Sequence, residues 1–248
     1  MLSGDISGNC LLVSPTTSNT EMIKQAMQHF AIAAESCEDP EVALRLIRSR
    51  KYEAVVIDFE FGKIARDILR EVRSSASNRR SVVFALVNHD SEASEAFVSG
   101  SSFTLSKPVV EEKAVRLIRA AYGMILRERR RYFRCPVLLP AILTLPKSPA
   151  QQVQVVNLSE GGISIQCDTP ITGHPPVFVE FSLPESGAKI SCQASVCWTN
   201  DRGRVGLQIE SVAPEAKRHL EKWLSQRLDE FIPPAVTSNL EHPTLQIQ

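Results

Sequence analysis

Three arginines, Arg129, Arg130 and Arg134, are crowded together, and about two strand lengths further on stands the turn Asn157-Leu158-Ser159-Glu160-Gly161-Gly162. A guanidinium grips phosphate oxygens through two parallel hydrogen bonds and stacks on aromatic faces. The turn offers an amide, a hydroxyl, backbone N–H groups and residues without a Cβ. Side by side, the two stretches would form a receptor for a flat, anionic, hydrogen-bonding ligand, a description that a cyclic dinucleotide meets. Each has a plainer reading alone: arginines at a helix end complement its dipole, and Asn-x-Ser before Gly-Gly suits an ordinary hairpin. Their joint occurrence points to a ligand. A second chemical pair is Asp58 and Lys107, each closing an apolar run.

The elements that must position these residues change character along the chain. Up to about Tyr122, apolar runs alternate with helical patterns. Cys10–Val13, Ala31–Glu35, Ala54–Asp58, Ser81–Val87 and Phe103–Ser106 read as strands. Helices are expected from about Asn19, with Ser18 and Glu21 as a capping box, from Pro40 behind an Asp39 cap, over Ile64–Val72, near Glu92–Ser99, and after Pro108. Five strands alternating with five helices imply a doubly wound parallel sheet, whose ligand site lies off the carboxyl ends of the strands. Asp58 and Lys107 would meet there. Beyond the arginines the period drops to two, best seen in Ile190, Cys192, Ala194, Val196 and Trp198, with the turn Asn200–Gly203 following. This predicts an antiparallel sheet or small barrel, closed by a helix from Pro214 to about Phe231 carrying Leu220, Trp223, Leu224 and Leu228. Trp198 and Trp223 both fall on apolar stripes and are expected in the core. The division is therefore 8–126, 127–231 and a disordered tail, 232–248.

Arg130-xxx-Arg134, led by Arg129 and followed by Asn157-x-Ser159-x-x-Gly162, resembles the paired RxxxR and (D/N)xSxxG motifs of PilZ domains, bacterial receptors for cyclic di-GMP. The resemblance implies a compact β-barrel. It also implies that Arg129, Arg130 and Arg134 hold guanine edges and phosphates, with Asn157, Ser159 and Gly162 against the nucleotide. The first half resembles a response-regulator receiver domain, in which the residue at Asp58 is phosphorylated and the one at Lys107 steadies the phosphoryl group. Ser14 and Pro15, however, stand where that family carries the acidic pair that holds Mg²⁺, which needs carboxylate oxygens. Val87 and Thr104 stand where it carries a hydroxyl and an aromatic switch. A degenerate receiver-like domain is expected, with Asp58 and Lys107 as an ion pair at the sheet end and no Mg²⁺ cofactor.

Composition bounds the rest. The 248 residues carry zero formal net charge, which argues against a coat for nucleic acid. No apolar run could span a bilayer, and the start lacks a secretory pattern, so membrane insertion is not expected and the cytoplasm is the expected compartment. Six cysteines lie at no metal-ligand spacing and are expected to be mostly buried thiols. His89, His174 and His219 have no partner at ligand or triad spacing, and no catalytic array stands out. The expectation is a non-enzymatic signalling protein in which cyclic di-GMP reorients the two domains toward a protein partner, with a second copy of the chain a candidate partner. Two other readings stay open: an interaction adaptor that no longer binds nucleotide, and a nucleic-acid-binding barrel.

Overall fold

The computed structural model describes residues 7–146, 148–168, 171, 173, 175–230, 232 and 236. The chain forms two compact units, divided after Arg129, with Ile232 and Val236 returning to the first.

The first unit is a five-stranded sheet in the order β2-β1-β3-β4-β5, every pairing parallel. The strands are β1 (Gly8–Val13), β2 (Ile32–Cys37), β3 (Ala54–Asp58), β4 (Val82–Val87) and β5 (Phe103–Ser106). Between and after them run α1 (Thr17–Gln28), α2 (Pro40–Ser49), α3 (Lys63–Ser74), α4 (Asp90–Val98) and α5 (Glu111–Tyr132). Continuous apolar runs are explained by burial on both faces. Leu12 and Val56 pack with Met27 of α1 and Ile118 of α5, whereas Leu11 and Val55 pack with Ile47 of α2 and Leu69 of α3. Asp39 caps α2 as expected, accepting from the Glu41 and Val42 N–H groups. The capping box at Ser18 does not form: α1 starts at Thr17, so Ser18 lies inside the helix, and Thr16 precedes it without a side-chain cap.

The second unit is a closed barrel in the order β10-β11-β8-β7-β6-β9. Its strands are β6 (Cys135–Thr144), β7 (Gln151–Leu158), β8 (Gly162–Gln166), β9 (Pro176–Ser182), β10 (Lys189–Thr199) and β11 (Arg204–Val212), followed by α6 (Pro214–Asp229). Inward residues such as Leu143, Val155, Ile165, Val179 and Ala194 join Leu220, Trp223 and Leu224 of α6 in one core. Closure removes the exposed sheet edges that an open sheet of this size would present.

Trp198 departs from its stripe. A register shift between Val196 and Trp198 inserts a bulge in β10, and a bulge resets which side chains face inward. Val196 is buried, Cys197 and Trp198 are exposed, and Trp198 keeps 48% of its surface in contact with solvent. Trp223 is in the core as expected, and five of the six cysteines are buried, Cys197 being the exception. The tail expected to be disordered lies outside the described residues except for Ile232 and Val236. Val236 is buried in the first unit's core.

Candidate functional site

The β7–β8 turn is built by its own small residues. The Ser159 N–H and hydroxyl both donate to the Gly162 carbonyl, at 2.9 and 3.0 Å. The Ile209 N–H donates to the Gly161 carbonyl at 3.0 Å, strapping the turn to β11. Gly162 suits a close approach, because a Cβ there would sit 3.0 Å from the Leu207 carbonyl oxygen, tighter than an ordinary contact. Just before the turn, a bulge between Val155 and Asn157 re-aims β7. The Asn157 amide oxygen is shielded from solvent and accepts no hydrogen bond among the described residues. A shielded acceptor without a donor is costly.

A groove of about 630 Å³ runs past this turn. It is lined by Arg131 from the end of α5, by Arg134 ahead of β6, by Asn157, Ser159 and Gly162, and on its far side by Trp198 and Arg204. Three of its lining residues carry guanidiniums and none a carboxylate among the described residues. A larger hollow of about 880 Å³, lined by Gln152, Gln154, Glu180 and Lys189, has no arginine. Anion preference therefore falls on the smaller groove.

Of the residues singled out in the sequence, Arg134, Asn157, Ser159 and Gly162 share this groove. Arg130 is not among its lining residues and pairs with Asp229 of α6 at 3.7 Å. Arg129 belongs to the first unit, where burial pushes its guanidinium below the ordinary range against the pull of Glu53. Among the lining residues not assigned to a site from the sequence are Arg131, Trp198 and Arg204. Arg131 was adjacent to the motif and could have been included; the bulge that exposes Trp198 left no signal in the alternation.

Beside the groove, burial together with the Glu221 charge raises the Glu160 carboxyl above its usual range, with Arg130 and Lys217 opposing. A raised acid in the folded state contributes stability that is present below its unfolded pKa and lost as pH rises through the folded one. Glu160→Gln should therefore raise the unfolding midpoint near about pH 7, and the gain should vanish by about pH 3, below the ordinary glutamate range. Thermal melts of both proteins at the two pH values measure this.

At the carboxyl end of the parallel sheet, Asp58 has no solvent exposure. Its Oδ1 accepts from Lys107 Nζ at 2.8 Å and from the Glu60 N–H at 3.0 Å, and its Oδ2 from the Ser14 hydroxyl at 2.7 Å. Lys107 also donates to Glu60 Oε2 at 2.9 Å. Asp58 and Lys107 thus meet, as their positions in the topology require. Asp58 and Glu60 supply the carboxylates at this end, and their oxygens already bond an ammonium, a backbone N–H and a hydroxyl, whereas Mg²⁺ demands a near-octahedral shell of oxygens. Val87, closing β4, is buried and has no side-chain donor to offer a phosphate.

A parallel αβ unit followed by a barrel with a basic groove is the class that these features define. The family model of the PilZ domain matches residues 128–226, which span the barrel and both motifs. Among solved structures, the receiver domain of a sensor histidine kinase from Pseudomonas aeruginosa PAO1 is similar at 20% identity and a TM-score of 0.42, over 47% of this chain and 98% of that one. A response regulator from Thermotoga maritima is similar at 14% identity and 0.42, over 48% and 97%. The inhibitor of motility from Bacillus subtilis is similar at 18% identity and 0.34, over 38% and 48%. No curated protein matches the chain. No helix among the described residues is long and apolar enough to cross a membrane.

Proposed function

We propose that this protein is a receptor for cyclic di-GMP, and that the groove beside the β7–β8 turn is where the nucleotide binds. The observation that carries this reading is the gathering of Arg134, Asn157, Ser159 and Gly162 around one basic groove, from segments separated in sequence. Arg134 and Arg131 would meet phosphate oxygens or the O6 and N7 acceptors of guanine. The Asn157 amide oxygen would accept from a guanine N–H, and Ser159 and Gly162 would hold the turn close to the ligand. The Trp198 indole offers a face to a purine.

The signal is conformational and not catalytic in this reading. The arginine segment continues α5, the last helix of the parallel unit. Drawing that segment toward the nucleotide would reorient the receiver-like unit and change the surface offered to a protein partner. Phosphotransfer is not needed, because Asp58 and Lys107 act as a fixed ion pair. Titration calorimetry of the intact chain with cyclic di-GMP tests the receptor reading, with micromolar or tighter binding expected; no heat at saturating concentration would leave the adaptor reading. X-ray scattering with and without nucleotide tests the reorientation, and superimposable profiles would remove it. Incubation with labelled acyl phosphate and Mg²⁺ should leave the protein unlabelled.

One further outcome concerns the indole. Trp198 rests on Gly206, its cross-strand neighbour, and a Cβ at Gly206 would overlap the ring. Gly206→Ala should therefore tilt Trp198 out of place and weaken nucleotide binding about tenfold, the scale of one lost base stack. Calorimetry against the wild type measures the loss.

A further inference from the structure

Resting on the cyclic di-GMP reading, we infer that Arg204, which lies outside both sequence motifs, reads the base and selects guanine over adenine. Arg204 opens β11 on the far wall of the groove from Arg134. Its position is fixed through the hairpin between β10 and β11. The Asn200 side-chain oxygen accepts from the Arg202 and Arg204 N–H groups at 3.0 and 2.9 Å, and the Asn200 N–H donates to the Arg204 carbonyl at 3.0 Å. Gln166 Nε2 donates to the Arg202 carbonyl at 2.7 Å, fastening the hairpin to β8. The Arg204 Nε donates to the Ser164 hydroxyl at 3.3 Å. This holds the base of the fork and leaves its two terminal nitrogens for a ligand.

The neighbour that gives the fork its task is Trp198. Arg204 and Gly206 are two apart on one strand, so they share a face at roughly 7 Å. Because the indole lies on Gly206, a purine stacked on the indole would bring an edge within reach of Arg204. The O6 and N7 of guanine are two adjacent acceptors, which a guanidinium fork satisfies together. Adenine presents N7 beside an N6 donor, which the fork cannot satisfy, whereas a glutamine amide can. The stacking face is indifferent to which purine it carries. Discrimination is therefore assigned to Arg204 and affinity for either base to Trp198.

The test is calorimetric titration of the full-length wild type, Arg204→Gln and Trp198→Leu with cyclic di-GMP and cyclic di-AMP, with circular dichroism confirming the fold of each. The wild type should prefer the guanine ligand by about tenfold or more. Arg204→Gln should lose most of that preference, binding the guanine ligand more weakly and the adenine ligand more tightly. Trp198→Leu should weaken binding of both without altering the ratio. If Arg204→Gln keeps the wild-type affinity and preference for cyclic di-GMP, Arg204 is not the base reader, although the receptor reading stands. If the wild type binds neither ligand, the receptor reading fails and takes this inference with it.

Discussion

Arg134→Ala should lower the affinity of the intact protein for cyclic di-GMP by about ten- to a hundredfold and leave its thermal midpoint nearly unchanged. A hydrogen bond to a charged partner contributes about 1.5–3 kcal/mol, and each 1.4 kcal/mol is about a factor of ten in binding. Arg134 is exposed and lines the groove, so its removal takes a ligand contact without opening the core. Arg130 offers the contrast. In the protein without nucleotide it pairs with Asp229, both side chains being well exposed to solvent, and exposed pairs contribute about 0–1 kcal/mol. If Arg130→Ala weakens binding as much as Arg134→Ala, the nucleotide must draw Arg130 away from Asp229. In that case Asp229→Asn should tighten binding by freeing the guanidinium in advance. If Arg130→Ala is nearly silent, Arg134 and Arg131 suffice. Calorimetry on the wild type and the three variants separates the cases. Equal affinity for wild type and Arg134→Ala would remove the groove from the account.

How much of this was legible in the sequence follows from how local each determinant is. Strand runs such as residues 54–57, ahead of Asp58, are uniformly apolar because both faces are covered, and the Asp39-Pro40 start works through bonds within three residues. Both could be read directly. The alternation of β10 was also legible up to Val196, but the bulge beyond it depends on how β10 and β11 align across the sheet. Nothing within the ten residues around Trp198 announces that pairing, so the indole was placed in the core when it lines the groove. Arg130 is a similar case. Its partner Asp229 is nearly a hundred residues away on α6, and no local pattern links them. Ser159 shows the reverse: the hydroxyl expected near a ligand is also the hydroxyl that closes its own turn. The two roles are compatible, because an O–H that donates to Gly162 can still accept.

Lys107→Met should destabilise the first unit by about 3–5 kcal/mol, the cost of leaving a buried charge without its partner. Asp58 is fully buried and Lys107 retains 8% side-chain exposure, so water cannot replace the ammonium easily. Removing Asp58 instead should do less harm, because Lys107 keeps Glu60 at 2.9 Å, and Glu60 is half exposed. The double variant Asp58→Asn with Lys107→Met should accordingly be more stable than Lys107→Met alone. Burial opposes the Lys107 charge, but the bonds to Asp58 and Glu60 prevail and raise its pKa above the ordinary lysine value. The stability carried by that shift is complete below the unfolded lysine pKa and disappears only as pH climbs through the higher folded one. Across neutral pH the wild-type pair is therefore constant. Both tryptophans lie in the second unit, Trp198 on β10 and Trp223 on α6, so their emission follows that unit and far-ultraviolet circular dichroism is needed for the helices of the first. Urea unfolding followed by dichroism at about pH 7 should show the full deficit in Lys107→Met and a smaller one in the double variant. Equal deficits in the two variants would mean that Asp58 is not left as a stranded charge.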